Sequence, residues 1–432
     1  MAGQSSSSSL PPHRILVRGT NWLGDAVMTT PALLRLREKF PDAHIALLTP
    51  EKLADLWKHH PAVDEIVSFA QDEGVLSVAN RLRVESLKRL LESDQKRREA
   101  GRAAYNEAVM MGGTPAQAIG NVVKEVFRET IEAKKNAREQ SVDLALVLPN
   151  SPRSALEVFL ARIPRRVGYA RPWRNFFLTQ AVAPRAEAVK MRKRTVAEIK
   201  ALVAAVSPGQ NSDNRVFTNT AAHQIHEYLH LVAALGANPE PLAPQLFVTP
   251  AEIEAARKKF GLEKISGPIF GLNPGAEYGP AKRWPAGRFI AAARQIQSRN
   301  NCVWILFGGK NDEAVTAQIQ SAIGQQWLVI NLAGQTSLRE LMALLKLCRV
   351  LLTNDTGPMH VAAALGTPVV VPFGSTSPEP TGPGLPGDPR HHLLKSDAPC
   401  SPCFLRECPI DFRCMNGIGI ERVVEAVLPA AR

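Results

Sequence analysis

The sequence feature that most constrains the fold is an apolar run, a polar loop, a helix of small residues and a second apolar run, which follow one another over residues 350–371. Residues 350–352 and 369–371 have the composition of short buried strands, and residues 359–365 have that of a tightly packed helix ended by Gly366. This order of elements predicts a parallel α/β sheet. Because ligands of such sheets bind at the carboxyl ends of strands, the polar loop is a candidate binding site.

The polar loop contains the residue types that bind a diphosphate at a helix N-terminus. Gly357 lets the backbone approach a ligand closely, and Pro358 fits the first helical turn, where its missing N–H is no loss. Asp355, Thr356 and His360 are predicted to surround the helix start, whose free N–H groups and partial positive charge attract an anion. The sequence also allows an ordinary helix cap, in which Asp355 or Thr356 satisfies the helix N–H groups and His360 packs in the core.

The N-terminal half shows the same alternation of strands and helices. Strands are predicted at residues 15–17, 43–49 and 63–69, with helices at 26–40 and 51–60, which is the βαβαβ order of a doubly wound sheet. Further elements predicted in this half are a strand at 142–148, a helix at 154–161, an edge strand at 165–169 and helices at 192–205 and 221–235.

Asp25 follows the first predicted strand and stands near the start of the first helix. Gly19 and Gly24 have the glycine spacing of a phosphate-binding P-loop, but that loop requires Lys and Ser or Thr where this chain has Asp25 and Ala26. A carboxylate there repels phosphate, which excludes nucleotide hydrolysis. It suits a general base aimed into a cleft. The spacing is equally compatible with a helix-capping role.

The second half predicts a second doubly wound domain after a proline-rich linker at residues 236–250. The predicted domains are a disordered tail at 1–12, an N-terminal Rossmann-like domain at 13–245 and a C-terminal Rossmann-like domain at 246–432. Predicted elements of the last domain are strands at 268–272 and 302–307 and helices at 337–347 and 420–428. Lys282, in a loop rich in Gly and Pro, can reach a phosphate as a point charge, or it is a solvated surface lysine.

Residues 75–140 interrupt the first domain with a basic, amphipathic stretch that predicts two or three helices. The favoured interpretation is a solvated helical hairpin. The alternative is a basic arm that contacts a membrane surface or an anionic acceptor.

Four cysteines, Cys400, Cys403, Cys408 and Cys414, lie within fifteen residues near the C-terminus. Four thiols can satisfy a tetrahedral structural zinc, although the spacing is not that of paired CxxC motifs. Free or redox-active thiols are the alternatives.

The chain has 432 residues with 45% hydrophobic and 21% charged residues, which is the composition of a globular protein with a sizeable core. The net charge of +12 favours acidic partners, among which nucleic acid ranks last because the sequence shows no nucleic-acid-binding module and few aromatic residues. A Ser-rich start without an apolar signal core, and no apolar run of transmembrane length, predict a cytoplasmic protein. The basic stretch at 75–140 allows peripheral contact with a membrane face as an extension of this prediction.

Four sequence blocks resemble glycosyltransferase family 9, the heptosyltransferases: NWLGDA at 21–26, PNS at 149–151, NPGAEYGPAKRWP at 273–285 and NDTGPMHVAAA at 354–364. The resemblance spans about residues 13–430 apart from the insertion. It implies a GT-B fold, in which two Rossmann-like domains face each other, the N-terminal one binding the acceptor and the C-terminal one binding the nucleotide sugar. It also implies transfer of L-glycero-D-manno-heptose from ADP-heptose onto the first heptose of the lipopolysaccharide inner core, with inversion and without a required cofactor.

The same resemblance implies roles for six residues. Asp25 resembles the catalytic base of the family, and Lys282 resembles the lysine that contacts donor phosphate. The donor-binding segment is matched by Asp355, Thr356, Gly357 and His360. The insertion at 75–140 and the cysteine cluster depart from the family pattern, and neither receives a catalytic role.

Three other functions remain open at this point. One is a family 9 heptosyltransferase with a different acceptor. Another is a GT-B-fold nucleotide-sugar 2-epimerase, which needs acid and base groups around the sugar C2 rather than one base facing an acceptor. The third is a protein that binds sugar nucleotides without catalysis.

Overall fold

A computed structural model describes residues 11–83, 99, 102–103, 123–124, 141–189, 191–205, 220–324 and 326–431. The predicted tail at 1–12, apart from its last two residues, lies outside these ranges. Most of the insertion at 75–140 also lies outside them, apart from a helical stretch at 75–83 and a few single positions. In the described part of the chain, the helices are all too short or too polar to cross a bilayer.

Six parallel strands form the first sheet in the order β3-β2-β1-β4-β5-β6. They are β1 (Arg14–Arg18), β2 (His44–Pro50), β3 (Glu65–Phe69), β4 (Leu144–Val147), β5 (Arg165–Tyr169) and β6 (Gln180–Val182). The order in which strands are added to the sheet reverses between β1 and β4. Ile15 of β1 lies opposite both Ile45 of β2 and Leu144 of β4. The prediction of an edge strand at 165–169 is wrong, because the unpredicted strand β6 pairs with β5 and takes the edge.

The second sheet has the same topology and the order β12-β11-β10-β7-β8-β9. Its strands are β7 (Ile269–Asn273), β8 (Val303–Leu306), β9 (Val329–Asn331), β10 (Val350–Thr353), β11 (Val369–Phe373) and β12 (His392–Lys395). Strand order reverses between β7 and β10, which pair from Val350 opposite Phe270 to Thr353 opposite Asn273. In doubly wound sheets the ligand crevice opens at this reversal, beyond the carboxyl ends of the two strands.

The α-helices lie between these strands and near both ends of the chain. Those of the first half are Leu23–Met28, Thr30–Lys39, Glu51–Ala54, Pro152–Leu160, Val196–Ala204 and Ile225–Ala233. Those of the second half are Pro250–Lys259, Ala286–Arg299, Glu313–Ile323, Leu338–Leu347, Gly357–Ala364, Pro378–Thr381, Arg413–Asn416 and Ile420–Ala430.

The helix predicted at 26–40 is two helices, Leu23–Met28 and Thr30–Lys39. Pro31 has no N–H to donate to the carbonyl four residues earlier, which is that of Val27. The Thr30 hydroxyl donates to this carbonyl instead, over 2.9 Å. The helical path therefore breaks beside the proline, and the short first helix carries Asp25.

Contacts divide the chain into two compact units. The first comprises Met1–Gly19, Leu36–Glu51 and Ala62–Ala183, and the second comprises Thr20–Arg35, Lys52–Pro61 and Pro184–Arg432. The longest segment of the second unit starts at Pro184, whereas the prolines predict a domain boundary at 245/246. Each unit has its own apolar core, and that of the second includes perpendicular ring pairs such as Phe270–Trp304.

Candidate functional site

A cavity of about 470 Å³ lies in the second compact unit, beyond the carboxyl ends of β7 and β10. Its walls are the first turn of the helix Leu23–Met28, the loop after β7, the start of the helix Gly357–Ala364 and parts of residues 376–381 and 404–406. All six residues predicted from the sequence line it: Asp25, Lys282, Asp355, Thr356, Gly357 and His360.

Two asparagines fix the floor of the cavity by joining the ends of β7 and β10. Asn273 donates through its amide to the Thr353 hydroxyl over 3.0 Å. Asn354 donates to the Pro274 carbonyl over 2.7 Å and accepts from the Trp284 backbone N–H over 2.9 Å. Because these asparagines are buried, their bonds hold both loops at defined positions in a region of low dielectric.

Lys282 is ion-paired rather than solvated. Its Nζ lies 2.7 Å from Asp355 Oδ2, and the Thr376 hydroxyl donates to the same oxygen over 2.5 Å. The Lys282 side chain is 14% exposed and that of Asp355 is 4% exposed. The surface-lysine alternative is therefore wrong. The ammonium faces the cavity with much of its charge already balanced.

The helix Gly357–Ala364 starts at the cavity and runs into the core. Its N-cap, Thr356, makes no side-chain capping hydrogen bond. Asp355 accepts from Lys282 and Thr376. The cap that the sequence allowed through Thr356 is therefore absent from this helix end. The start of the helix lines the cavity, where its partial positive charge favours an anion.

Two glycines let the helices Leu23–Met28 and Gly357–Ala364 approach closely. A Cβ on Gly24 would lie 2.8 Å from Cδ2 of His360, and a Cβ on Gly357 would lie 2.8 Å from Cδ2 of Leu23. Gly357, which the sequence assigns to close ligand approach, thus has a packing reason of its own. This contact sets the position of the helix turn that carries Asp25.

Asp25 has the perturbed acidity expected of a general base. Burial raises the pKa of this carboxyl from 3.8 to about 6, while the nearby Lys282 ammonium acts in the lowering direction. The N-cap of its helix is Trp22, which makes no side-chain capping bond, and Asp25 stands within the first turn. A carboxyl with a pKa near 6 is largely ionised at neutral pH and holds a proton more readily than a solvated one.

His360 is buried in the cavity wall with 5% of its surface exposed. Burial lowers the pKa of this imidazole to about 4, against the raising effect of Asp355. The ring is therefore neutral near pH 7. It can offer a hydrogen bond to a ligand while adding no charge to the site.

Further residues of the cavity wall did not emerge from the sequence as site residues, among them Tyr278, Phe404 and Arg406. The Tyr278 hydroxyl donates to the Phe404 carbonyl over 2.8 Å, and the Ala281 N–H donates to the Arg406 carbonyl over 3.0 Å. The Tyr278 ring has Lys282 Nζ 5.0 Å from its centroid and Arg406 Cζ 5.3 Å from it. The sequence offered one clue to Arg406, its place among the clustered cysteines, but that clue pointed to metal binding.

The cysteine cluster has the packing of apolar side chains. Cys400 and Cys403 are buried in a small apolar cluster with Ile199, and Cys414 belongs to the large core of the second unit. Burial raises the pKa of these three thiols, that of Cys414 to about 12. Among the described residues there is no group of three or more His, Cys, Asp or Glu side chains that could hold a metal ion, so the zinc prediction gains no support.

The sequence of this chain is similar to those of known glycosyltransferases. The family model described as "Glycosyltransferase family 9 (heptosyltransferase)" matches residues 210–412. Lipopolysaccharide heptosyltransferase 2 of Salmonella typhimurium is 30% identical over 380 residues, which cover 86% of this chain and 85% of that protein.

Comparison with solved structures extends the likeness to nearly the whole chain. The ADP-heptose lipopolysaccharide heptosyltransferase II of Escherichia coli matches with a TM-score of 0.62 and 25% identity, over 97% of this chain and 98% of that one. A family 9 glycosyltransferase of Veillonella parvula matches with a TM-score of 0.67 and 20% identity, over 97% of each chain, which shows a shared fold.

Proposed function

The chain belongs to glycosyltransferase family 9, and from this premise we propose that its cavity transfers heptose from ADP-heptose onto the first heptose of the lipopolysaccharide inner core, with inversion. The two six-stranded parallel sheets are those of the GT-B fold. The observation that carries the proposal is that a carboxylate of raised pKa, a lysine and a helix N-terminus line one cavity.

Asp25 is the proposed base. The acceptor hydroxyl oxygen attacks C1 of the heptose, its proton passes to the Asp25 carboxylate, and the bond from C1 to the diphosphate oxygen breaks with its electron pair going to ADP. A base of pKa about 6 accepts that proton while staying mostly ionised beforehand. Inversion follows because attack and departure take place on opposite faces of the sugar.

The leaving ADP gathers negative charge, which other groups of the cavity wall are suited to stabilise. The start of the helix Gly357–Ala364 supplies N–H groups and a partial positive charge. Arg406 and Lys282 add positive charge near Tyr278, with Arg406 Cζ 5.3 Å and Lys282 Nζ 5.0 Å from its ring centroid. Because the Lys282 charge is shared with Asp355, we assign Arg406 the more direct phosphate contact.

The neutral His360 and Thr356 complete the proposed donor site. His360 lines the cavity and can bind a donor hydroxyl, and Thr356 stands at the helix start with its hydroxyl unused in capping. Gly357 keeps the helix start close to Leu23, so that the base and the phosphate site occupy one cavity. Catalysis through these residues requires no cofactor.

The proposed partners are ADP-heptose as donor and the inner-core saccharide of lipopolysaccharide as acceptor. Since that acceptor is attached to lipid, we also propose peripheral contact with the inner membrane from its cytoplasmic side. The basic arm at 75–140 that the sequence offered for such contact lies mostly outside the described residues. Nucleic acid is not a proposed partner.

Two alternatives are separated from this proposal by one assay. Incubation with ADP-heptose should release ADP only when a heptose-bearing core acceptor is present. A 2-epimerase would instead convert the donor without acceptor, and that result would sink the transferase proposal. Release of ADP with a core acceptor that lacks the first heptose, and not with the heptose-bearing one, would identify another acceptor specificity within the family.

The role of Asp25 is tested with Asp25→Asn, which keeps the size of the side chain and removes the base. Turnover should fall by at least about a hundredfold, while ADP affinity measured by calorimetry stays within about twofold. Asp42→Asn, at an exposed carboxylate, is the matched control and should keep full activity. Loss of ADP binding in Asp25→Asn would show a donor-site role instead.

A further inference from the structure

Two aromatic side chains of the first compact unit are unusually exposed. Trp173 is 90% exposed and Phe176 is 81% exposed, the highest values among the large apolar residues of the described chain. Both stand in the connection between β5 and β6. The Phe176 ring also contacts the rings of Phe159 and Phe177, with centroids 6.0 and 5.7 Å away, and an exposed apolar patch commonly marks an interaction site.

A buried arginine and side-chain hydrogen bonds hold the connection that carries these residues. Arg174 is fully buried, and its guanidinium packs on Gly168 and donates to Asn150 Oδ1 over 3.4 Å. The Arg171 N–H donates to Asn175 Oδ1 over 2.9 Å. Arg174 therefore anchors the connection, while Trp173 and Phe176 before and after it stay exposed.

Trp173 also has a backbone conformation that bulky residues rarely adopt, with φ of 63°. A left-handed conformation costs a non-glycine residue on the order of 1 kcal/mol, and such residues cluster at functional positions. Nothing that Trp173 packs against offsets this cost, because nine-tenths of its surface is exposed. Contact with another molecule is the simpler explanation for this conformation.

The segment that carries the two rings is basic. Residues 158–183 contain five arginines and neither Asp nor Glu, and all of these arginines except the buried Arg174 are at least partly exposed. Arg162 is exposed, and Arg171 lies with its guanidinium 5.7 Å from the Tyr169 ring centroid. A surface that combines exposed aromatic residues with arginines is complementary to anionic lipid headgroups above an apolar layer.

We propose that Trp173 and Phe176 insert into the interfacial layer of an anionic lipid bilayer while the surrounding arginines contact its headgroups. Trp is favoured at that depth because its ring is apolar and its N–H remains near water. A bilayer needs no pocket, which suits rings that stand out into solvent. The inference rests on the proposed function, because it assigns residues to the membrane contact proposed there. Lipid binding can nevertheless be measured without donor or acceptor.

The test is sedimentation of the full-length protein with vesicles of phosphatidylcholine alone or mixed with phosphatidylglycerol. The wild type should bind the mixed vesicles and release at high salt, since screening weakens headgroup contacts. Trp173→Ala/Phe176→Ala should bind about tenfold more weakly, which corresponds to removing part of the burial of two aromatic rings. Leu328→Ala, at a 56% exposed residue of the second unit, is the matched control and should bind as the wild type does.

Three outcomes would overturn the proposal. If the wild-type protein does not bind anionic vesicles, the bilayer is not its partner. If the double variant and the wild type bind vesicles equally, the two rings do not anchor the protein. Unchanged vesicle binding with lost turnover on a delipidated core acceptor makes the loop an acceptor contact. Vesicle binding by a protein without transferase activity would instead keep this surface and contradict the proposed function, so the two failures are distinguishable.

Discussion

Lys282 and Asp355 form an ion pair in the cavity wall, with Nζ 2.7 Å from Oδ2. Lys282 follows β7 and Asp355 follows β10, so the pair joins the two loops at the point where strand order reverses. Both side chains are largely removed from water, and Thr376 gives Asp355 a second donor. The pair therefore acts as a structural link within the proposed donor site.

Lys282→Met should destabilise the protein, because it leaves the Asp355 carboxylate buried without its cation. The expected loss is about 3 kcal/mol in the free energy of unfolding. Lys282→Met/Asp355→Asn should recover part of that loss, since no unpaired charge remains. Urea unfolding of the wild type, both single variants and the double variant gives the coupling energy. Additive effects would show that the ion pair does not link the loops.

Arg406→Met should weaken ADP binding while leaving the fold intact. A charge-assisted hydrogen bond to phosphate is worth about 1.5–3 kcal/mol, so the Kd should rise at least about tenfold. The side chain is exposed, and unfolding should change little. Calorimetric titration with ADP measures the effect, with the exposed Arg299→Met as control. An unchanged Kd would return the phosphate contact to Lys282.

Much of the fold could be predicted from the sequence, and so could the common location of Lys282, Asp355, Thr356, Gly357 and His360, for a local reason. Strands β7 and β10 are short apolar runs of one sheet, and polar residues follow directly after each. In a parallel sheet such positions converge at one edge, so order along the chain predicts proximity. Asp355, Gly357 and His360 lie within six residues of one another, which makes their common location a local property.

The parts that the sequence did not reveal depend on contacts distant in sequence. Arg406 reaches the cavity because its carbonyl accepts from Ala281 and its guanidinium lies over Tyr278, more than a hundred residues away. The three-residue strand β6 has too little apolar pattern to be recognised alone, and it forms by pairing with β5. The ion pair between Lys282 and Asp355 likewise could not be predicted from composition.

Gly24→Ala should impair catalysis through a steric contact. The new methyl would lie 2.8 Å from His360 Cδ2, so the helix turn that carries Asp25 must shift. We expect kcat/KM to fall at least about tenfold, since small displacements of a catalytic group are costly. Gly287→Ala is the matched control, because a Cβ there meets nothing within 4 Å, and it should be neutral or stabilising by about 0.5–1 kcal/mol.

A second variant separates this steric effect from a general helix effect. His360→Ala should bind donor less well but should remove the clash, so adding Gly24→Ala to it should cause little further loss of kcat/KM. The measurement is the double-mutant cycle in kcat/KM. Full additivity would mean that the close approach of Gly24 and His360 does not position Asp25.

Asp25 should make stability depend on pH in a direction opposite to that of most carboxylates. Its folded-state pKa of about 6 is above its ordinary 3.8, so the folded state binds the extra proton between these values. The stabilising contribution of the neutral acid is complete below about pH 4 and is lost as pH rises through 6. Asp25→Asn, which stays neutral, should gain about 2–3 kcal/mol of stability relative to the wild type as the pH rises from 4 to 7.5. Urea unfolding at both pH values measures this, and a constant difference would contradict the raised pKa.

Lys282→Met should also move the pH dependence of activity. The ammonium lowers the pKa of Asp25, so its removal should raise that pKa above about 6. Since the ionised carboxylate is the base, the acid limb of kcat/KM should shift to higher pH in Lys282→Met, apart from any fall in the plateau. In Arg406→Met the plateau should fall without this shift, because Arg406 is not among the groups that set the pKa of Asp25. Equal acid limbs in Lys282→Met and the wild type would mean that another group titrates, and Asp25 would lose its assignment as the base.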